Sequence, residues 1–223
     1  MVCVRVLGCS ERGMTPIDWN EHWALHREPE SATKFAIEMA ERVGRFIDER
    51  DIRDAADFGC GPAATLFKLA KMYPSIDFFG FDIAESIIRK NRERAKKCGY
   101  ENLFFEQDSL PAFKTLRRFD LVLCFSTLHY IEDIDEAIRS LFWLVNPGSH
   151  LIFNYPNVYS KKAKEEEILP DDEYSRRRFS VLLSGKNVTS QRKIRRILRV
   201  YPRKFYSSKI YNVYVVVRKP LLG

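Results

Sequence analysis

Apolar residues in this chain recur with two different periods. Short continuous apolar runs at 55–58, 76–81, 103–106, 121–125 and 150–155 read as strands buried on both faces. Between them, segments 63–72, 85–98 and 134–145 space their apolar side chains three and four residues apart, as amphipathic helices do. An earlier helix is predicted over 32–48, with Ser31 as its N-cap and Phe35, Met39, Val43, Phe46 and Ile47 on one stripe. This alternation predicts an α/β fold around a mostly parallel sheet covered on both faces. Ligands of such sheets sit outside the C-terminal ends of the strands, near the point where strand order reverses.

The ends of the chain break this rhythm. Residues 1–31 read as an N-terminal extension, and 32–223 as one domain. Within the extension, 15–30 is polar but contains Trp19, His22, Trp23 and His26. As a helix it would carry Trp19, Trp23 and His26 on one face, with His22 adjacent. Two readings stand: a hydrophobic staple on the sheet, or a lid over the substrate whose aromatic faces suit a cationic group. Tyr155, Tyr159 and Tyr174 would meet such a lid from the fifth strand and the segment after it. Further on, 161–172 reads as a charged hinge, 190–199 as a helix and 212–217 as a strand.

The chemistry concentrates at strand ends. Asp57-Phe58-Gly59-Cys60-Gly61 closes the first strand in a glycine turn that opens a helix, Asp82 and Ile83 end the second, and Asp108 and Ser109 end the third. Gly59-Cys60-Gly61-Pro62-Ala63-Ala64 also fits a dinucleotide pattern. A carboxylate at Asp57, however, would repel a pyrophosphate and suits a cationic centre. Asp82 can hold ribose hydroxyls. Asp108 fits either an adenine-side acid or a helix N-cap. Phe125 and Ser126 follow the fourth strand and would face the ligand.

Taken in order over about 54–157, these segments resemble the class I S-adenosylmethionine-dependent methyltransferases. The resemblance extends to 119–130 as fourth strand and loop, and to 144–153 as the turn into the fifth strand. It implies a Rossmann-like, doubly wound, seven-stranded sheet closed by a C-terminal antiparallel hairpin, formed by 204–207 and 211–218. It also implies S-adenosyl-L-methionine as cofactor, bound by Asp57, Phe58, Gly59, Cys60, Gly61, Asp82, Ile83, Asp108, Ser109, Phe125 and Ser126. Ala63 stands where the family often has glycine, which suits a position serving helix packing. The loop at 126–130 lacks the Asn/Asp-Pro-Pro-aromatic motif of enzymes that methylate exocyclic base amines, which points to a small-molecule acceptor. His129 matches a position where small-molecule members often carry histidine, either packing over the cofactor or accepting a proton. Tyr130, His22 and His26 are the other candidates for catalysis.

Composition narrows the alternatives. At 223 residues and 45% apolar content the chain can bury one substantial core. Five cysteines form no CxxC pair and no metal-ligand spacing, so they read as reduced packing thiols and no metal is expected. No run approaches the ~18 apolar residues of a membrane span. Residues 1–7 are short for a secretory signal and interrupted by Arg5. A cytoplasmic protein without a membrane partner is expected. The net charge of +7 is uneven: 1–170 hold 23 Lys/Arg against 27 Asp/Glu, whereas 171–223 hold 14 against 3. That basic end keeps RNA or protein methylation open as an alternative, beside a non-catalytic nucleoside-binding module. A dehydrogenase would leave Asp57, Asp108 and the terminal hairpin unexplained.

Overall fold

The computed structural model describes residues 17–25, 30–209 and 212–221. In chain order they form α1 (Trp19–Leu25), α2 (Glu30–Asp48), β1 (Asp54–Phe58), α3 (Ala64–Met72), β2 (Asp77–Asp82), α4 (Glu85–Lys97), β3 (Leu103–Gln107) and β4 (Phe119–Cys124). A single 3-10 turn, η1 (Leu128–Tyr130), leads into α5 (Ile134–Trp143) and β5 (Val145–Asn154). There follow α6 (Val158–Glu167), α7 (Glu173–Arg178), α8 (Ser180–Ser184), α9 (Gln191–Leu198), β6 (Arg203–Lys209) and β7 (Asn212–Arg218).

One seven-stranded sheet runs β3-β2-β1-β4-β5-β7-β6. The first five strands are parallel, and β7 joins β5 and β6 antiparallel, giving the expected terminal hairpin. Strand order reverses between β1 and β4, so the crevice opens at the ends of those two strands.

Each face of the sheet has its own apolar layer. Val43, Ile47, Leu66 and Leu69 from α2 and α3 pack with Phe78, Leu121 and Ile152, while Ile138 and Leu141 of α5 and Ile194 and Leu198 of α9 pack with Phe81, Phe119, Val122 and Phe153. Every residue of β4 is buried, as a central strand covered on both sides requires. Truncating any one of these aliphatic side chains to alanine removes about 2–5 kcal/mol of stability. The strand ends that carry the acids therefore sit on a rigid base.

Most expected elements shift by only a few residues, but two readings are corrected. Ser31 lies inside the first turn of α2 rather than ahead of it as a cap. The charged hinge of 161–172 is helical as far as Glu167. Asn157 starts that helix with a capping box: its Oδ1 accepts from the Tyr159 and Ser160 N–H groups, while Ser160 Oγ accepts from the Asn157 N–H. Ion pairs Lys161–Glu165 and Lys162–Glu166 then line one side at helical spacing, so the charge run supports the helix.

Candidate active site

At the ends of β1, β2 and β4 lies a cavity of about 560 Å3. Its floor is the glycine turn. Gly59 and Cys60 donate their N–H groups to the Phe81 carbonyl at 2.8 and 2.9 Å, and Gly61 donates to Asp82 Oδ2 at 2.9 Å. Asn91 of α4 donates its amide to the Gly61 carbonyl at 2.7 Å. The turn is thus tied to the neighbouring strand, and the space above it stays open.

Gly59 and Gly61 have φ of 77° and 49°, in the left-handed region that favours glycine. A Cβ on Gly61 would come within 3.1 Å of the Trp23 ring. A Cβ on Gly59 would fall 2.1 Å from Thr127 Oγ1, which donates to the Gly59 and Phe125 carbonyls and clamps the two loops together. Ala63, next in the turn, also has a left-handed φ of 57° with its methyl buried. It therefore does more than pack a helix: it holds the turn in a conformation that strains any side chain. Ser126 repeats this across the cavity at φ 58°, its N–H donated to Asn154 Oδ1.

Two acids face the cavity in different states. Asp82 is buried, with Oδ1 accepting from the Ala84 N–H and Oδ2 from the Gly61 N–H. Burial raises its pKa, opposed by the N–H groups of Ala84, Gly61 and Ile83. Asp57 is also buried, and its Oδ1 has no hydrogen-bond partner. Burial, and after it the charge of Asp82, pushes its pKa up to about 7. A buried carboxylate with an empty acceptor site is a receptor for a cation or a donor.

Around this floor stand Cys60, Ile83 and Phe125, as expected, with Trp19, His22 and Trp23 of α1 above. α1 is fixed to α4 by Asn20, which accepts from the Ser86 N–H and hydroxyl, and by Lys90, which donates to the Trp23 carbonyl. His22 is buried, edge-on to Trp19 at 5.2 Å and Trp23 at 4.6 Å, with its Nδ1 against the Tyr174 hydroxyl. His26 lies outside the described residues. Tyr130 enters from η1, its ring 4.8 Å from Trp19, and burial raises its pKa against the opposing charge of Arg178.

Several expected residues either do not line the cavity or have their polar groups engaged elsewhere. Phe58 contributes backbone alone, because its ring turns into the core and stacks on Phe81 at 4.7 Å. Asp108 borders the cavity, but its carboxylate accepts from the N–H groups of Ser109, Lys114 and Thr115 and so organises its own loop. Ser109 donates its hydroxyl within that loop, to the Ala112 carbonyl, and does not line the cavity. Tyr155 is buried in the core beside Phe153, and Tyr159 is exposed on α6, so neither meets α1. His129 points away: its Nδ1 is buried without a partner, and burial together with the charge of Lys164 lowers its pKa to about 4.

Residues that sequence reasoning left unassigned complete the wall. Phe35 and Met39 enter on the α2 stripe, Thr127 follows β4, and Arg178 comes from α7. Arg178 is one of three consecutive arginines, and nothing in the local pattern distinguishes it from its neighbours.

A family model described as "Methyltransferase domain" matches residues 54–200. The nodulation protein S of Sinorhizobium fredii is 27% identical over 163 residues, covering 68% of this chain and 73% of that protein. A trans-aconitate 2-methyltransferase of Variovorax paradoxus is 29% identical over 146 residues, 63% of this chain, which spans only 51% of that relative's length. Among solved structures, magnesium protoporphyrin IX methyltransferase from Synechocystis, with bound S-adenosylhomocysteine, superposes with a TM-score of 0.61 at 16% identity, covering 90% of this chain and 91% of the other. The N-methyltransferase NodS from Bradyrhizobium japonicum, also with S-adenosylhomocysteine, gives 0.57 at 16% identity over 89% and 91%.

Proposed function

We propose that this chain, which belongs to the methyltransferase-domain family, transfers a methyl group from S-adenosyl-L-methionine to a small-molecule acceptor. The observation that carries the reading is the Asp57 Oδ1, buried without a partner beside Asp82 in a cavity floored by a glycine turn. That donor set fits the cofactor: Asp57 suits its ammonium or sulfonium, Asp82 its ribose hydroxyls, and Ile83 and Phe125 its apolar faces. The volume, about 560 Å3, falls within the ~300–1,000 Å3 of small-molecule sites. The named activities of the relatives, methylation of trans-aconitate and of magnesium protoporphyrin among them, support an acceptor of low molecular weight.

When bound, S-adenosylmethionine supplies a methyl group already activated on a sulfonium. The protein's work is then alignment and exclusion of water. Trp19, His22 and Trp23 would close the mouth of the cavity as a lid, and Tyr130 and Tyr174 would orient the acceptor. We assign to His22 the role of taking a proton where the acceptor must lose one, a reading supported by its burial in the cavity wall and its contact with the Tyr174 hydroxyl. His129 has no such access. We place the protein in the reducing cytoplasm, a reading supported by the free thiols Cys60, Cys98 and Cys124. Among the described residues no helix is long and apolar enough to cross a membrane.

Calorimetric titration with S-adenosylhomocysteine and with NAD tests the cofactor: the first binds and the second does not, and the reverse result overturns the assignment. The basic C-terminal segment favours a second reading, methylation of RNA. In α9, Arg192, Arg195 and Arg196 are exposed, while Ile194 and Leu198 pack into the core and Lys193 pairs with Asp135 at 2.7 Å. RNA bound through several phosphates loses orders of magnitude in affinity between about 50 and 200 mM salt. Transfer RNA is expected to bind weakly and to take up no methyl label; tight, salt-sensitive binding with methyl incorporation promotes the RNA reading instead.

A further inference from the structure

The cavity wall carries charges of both signs. Asp57 and Asp82 stand at the ends of β1 and β2, toward the β3 side of the sheet. α7 brings Arg178 to the wall beside Tyr130 of η1, the turn that follows β4. Its guanidinium carbon lies 5.7 Å from the centre of the Tyr130 ring and 5.3 Å from that of Phe179, and those rings are 5.4 Å apart. Two aromatic rings thus flank the guanidinium.

What the rings leave open is the charge. Arg178 Nε is buried and makes no hydrogen bond, and among the described residues no carboxylate forms an ion pair with this side chain. The neighbouring cation, Lys164, is by contrast answered by Glu167 at 2.6 Å. The residue is part-buried and its guanidinium touches the Tyr130 hydroxyl, but a buried N–H left without a partner is costly to hold in a folded protein unless a ligand completes it. Its planar fork matches a carboxylate, which it can engage through two parallel N–H donors. Tyr130 and Tyr174 line the same wall.

We infer that the acceptor is a small organic acid whose carboxylate is held by Arg178 where α7 meets the cavity, an arginine that forms no ion pair with the acids that serve the cofactor. This rests on the methyltransferase reading and adds the class of substrate. Arg178 is then a specificity residue: it binds one end of the acceptor and presents the rest to the methyl group. The aromatic neighbours Trp19 and Tyr130 supply an apolar flank for the acceptor's body.

The test uses the full chain saturated with S-adenosylhomocysteine and titrated with benzoate, phenylacetate and succinate, each against its amide. At least one acid is expected to bind about tenfold or more tightly than its amide, since a site built for a charged acceptor leaves its donor unpaired with the neutral analogue. Arg178→Met removes that preference while the affinity for S-adenosylhomocysteine changes less than about twofold. Arg178→Lys retains a part of it, as a point charge without the fork. No preference for any acid, or a preference that survives in Arg178→Met, overturns the inference. So does a loss of about tenfold or more in S-adenosylhomocysteine affinity for Arg178→Met, which would assign the arginine to the cofactor's own carboxylate. Where Arg178→Met fails to fold, Arg178→Gln gives the same readings. Failure of the wild-type chain to bind S-adenosylhomocysteine is a separate result and counts against the methyltransferase reading itself.

Discussion

If Asp57 holds the cofactor as proposed, binding should depend on pH within the physiological range. Its pKa of about 7 arises from burial first and from the charge of Asp82 second. A cationic ligand group reaching the free Oδ1 requires the ionised carboxylate, so protonated protein must release a proton on binding. With a pKa near 7 the ionised fraction falls about tenfold between pH 8 and pH 6, and apparent affinity for S-adenosylhomocysteine should fall by about the same factor. Calorimetry at pH 7 in phosphate and in Tris reads the proton directly, because the observed enthalpy shifts with the buffer's ionisation enthalpy. About half a proton released per ligand is expected at that pH. Asp57→Asn should flatten the profile and weaken binding at pH 8 by about tenfold or more. The sign for stability is opposite. A carboxyl whose folded pKa lies above its unfolded value of 3.8 stabilises the fold at low pH and loses that contribution as pH rises through about 7. A rise from 3.8 to about 7 corresponds to about 4 kcal/mol, so Asp57→Asn should raise the melting temperature of the free protein at pH 8 and leave it little changed near pH 4. A pH-independent affinity with no buffer dependence, or the wild-type profile persisting in Asp57→Asn, refutes this account.

Asp82→Ala should weaken S-adenosylhomocysteine about ten- to a hundredfold in calorimetry, since it removes both a ligand acceptor and the partner of the Gly61 and Ala84 N–H groups; unchanged affinity in a folded variant removes Asp82 from the site. Gly59→Val should act on the fold before it acts on binding: its Cβ meets Thr127 rather than ligand space, and φ of 77° opposes a β-branched residue, so a melting temperature lowered by several degrees is expected. A wild-type melt would show that the turn tolerates the side chain. Amide exchange across α1 should slow when S-adenosylhomocysteine binds, as a lid resting on Gly61 would require; exchange equally slow with and without ligand assigns Trp19 and Trp23 to the fixed structure.

The parts of the site legible in sequence are those that local chain chemistry dictates. A glycine turn between an apolar strand and a helix announces itself, and Asp57, Gly59, Gly61 and Asp82 all border the cavity as expected. Parallel strands read as continuous apolar runs, and β1 to β5 follow from them in order. The rest depended on direction, which one chain segment cannot supply. His129 and Tyr130 are adjacent in η1, yet one turns toward Lys164 and the other lines the cavity. Tyr155 and Tyr159 flank the end of β5, but the strand carries the first into the core and α6 turns the second outward. Arg178 is chosen among three arginines by the docking of α7 beside η1, a contact between segments about 50 residues apart. α6 was hidden for another reason: its stability comes from a cap and ion pairs rather than from an apolar stripe.

The placement of the indoles has an optical consequence. Of the chain's three tryptophans, Trp19 and Trp23 line the cavity, whereas Trp143 lies on α5, part-exposed beneath the guanidinium of Arg118 at 4.8 Å. Two of the three indoles therefore stand within contact distance of whatever enters the site. Trp143→Phe would remove the remote emitter and leave a fluorophore pair reporting on occupancy alone. With His22 edge-on to both rings, any ligand that alters the imidazole's contact with Tyr174 should alter the quantum yield as well. A change in tryptophan emission on adding each member of the acceptor panel is the expected result, and it can be read in a cuvette without a label or a radioactive methyl group.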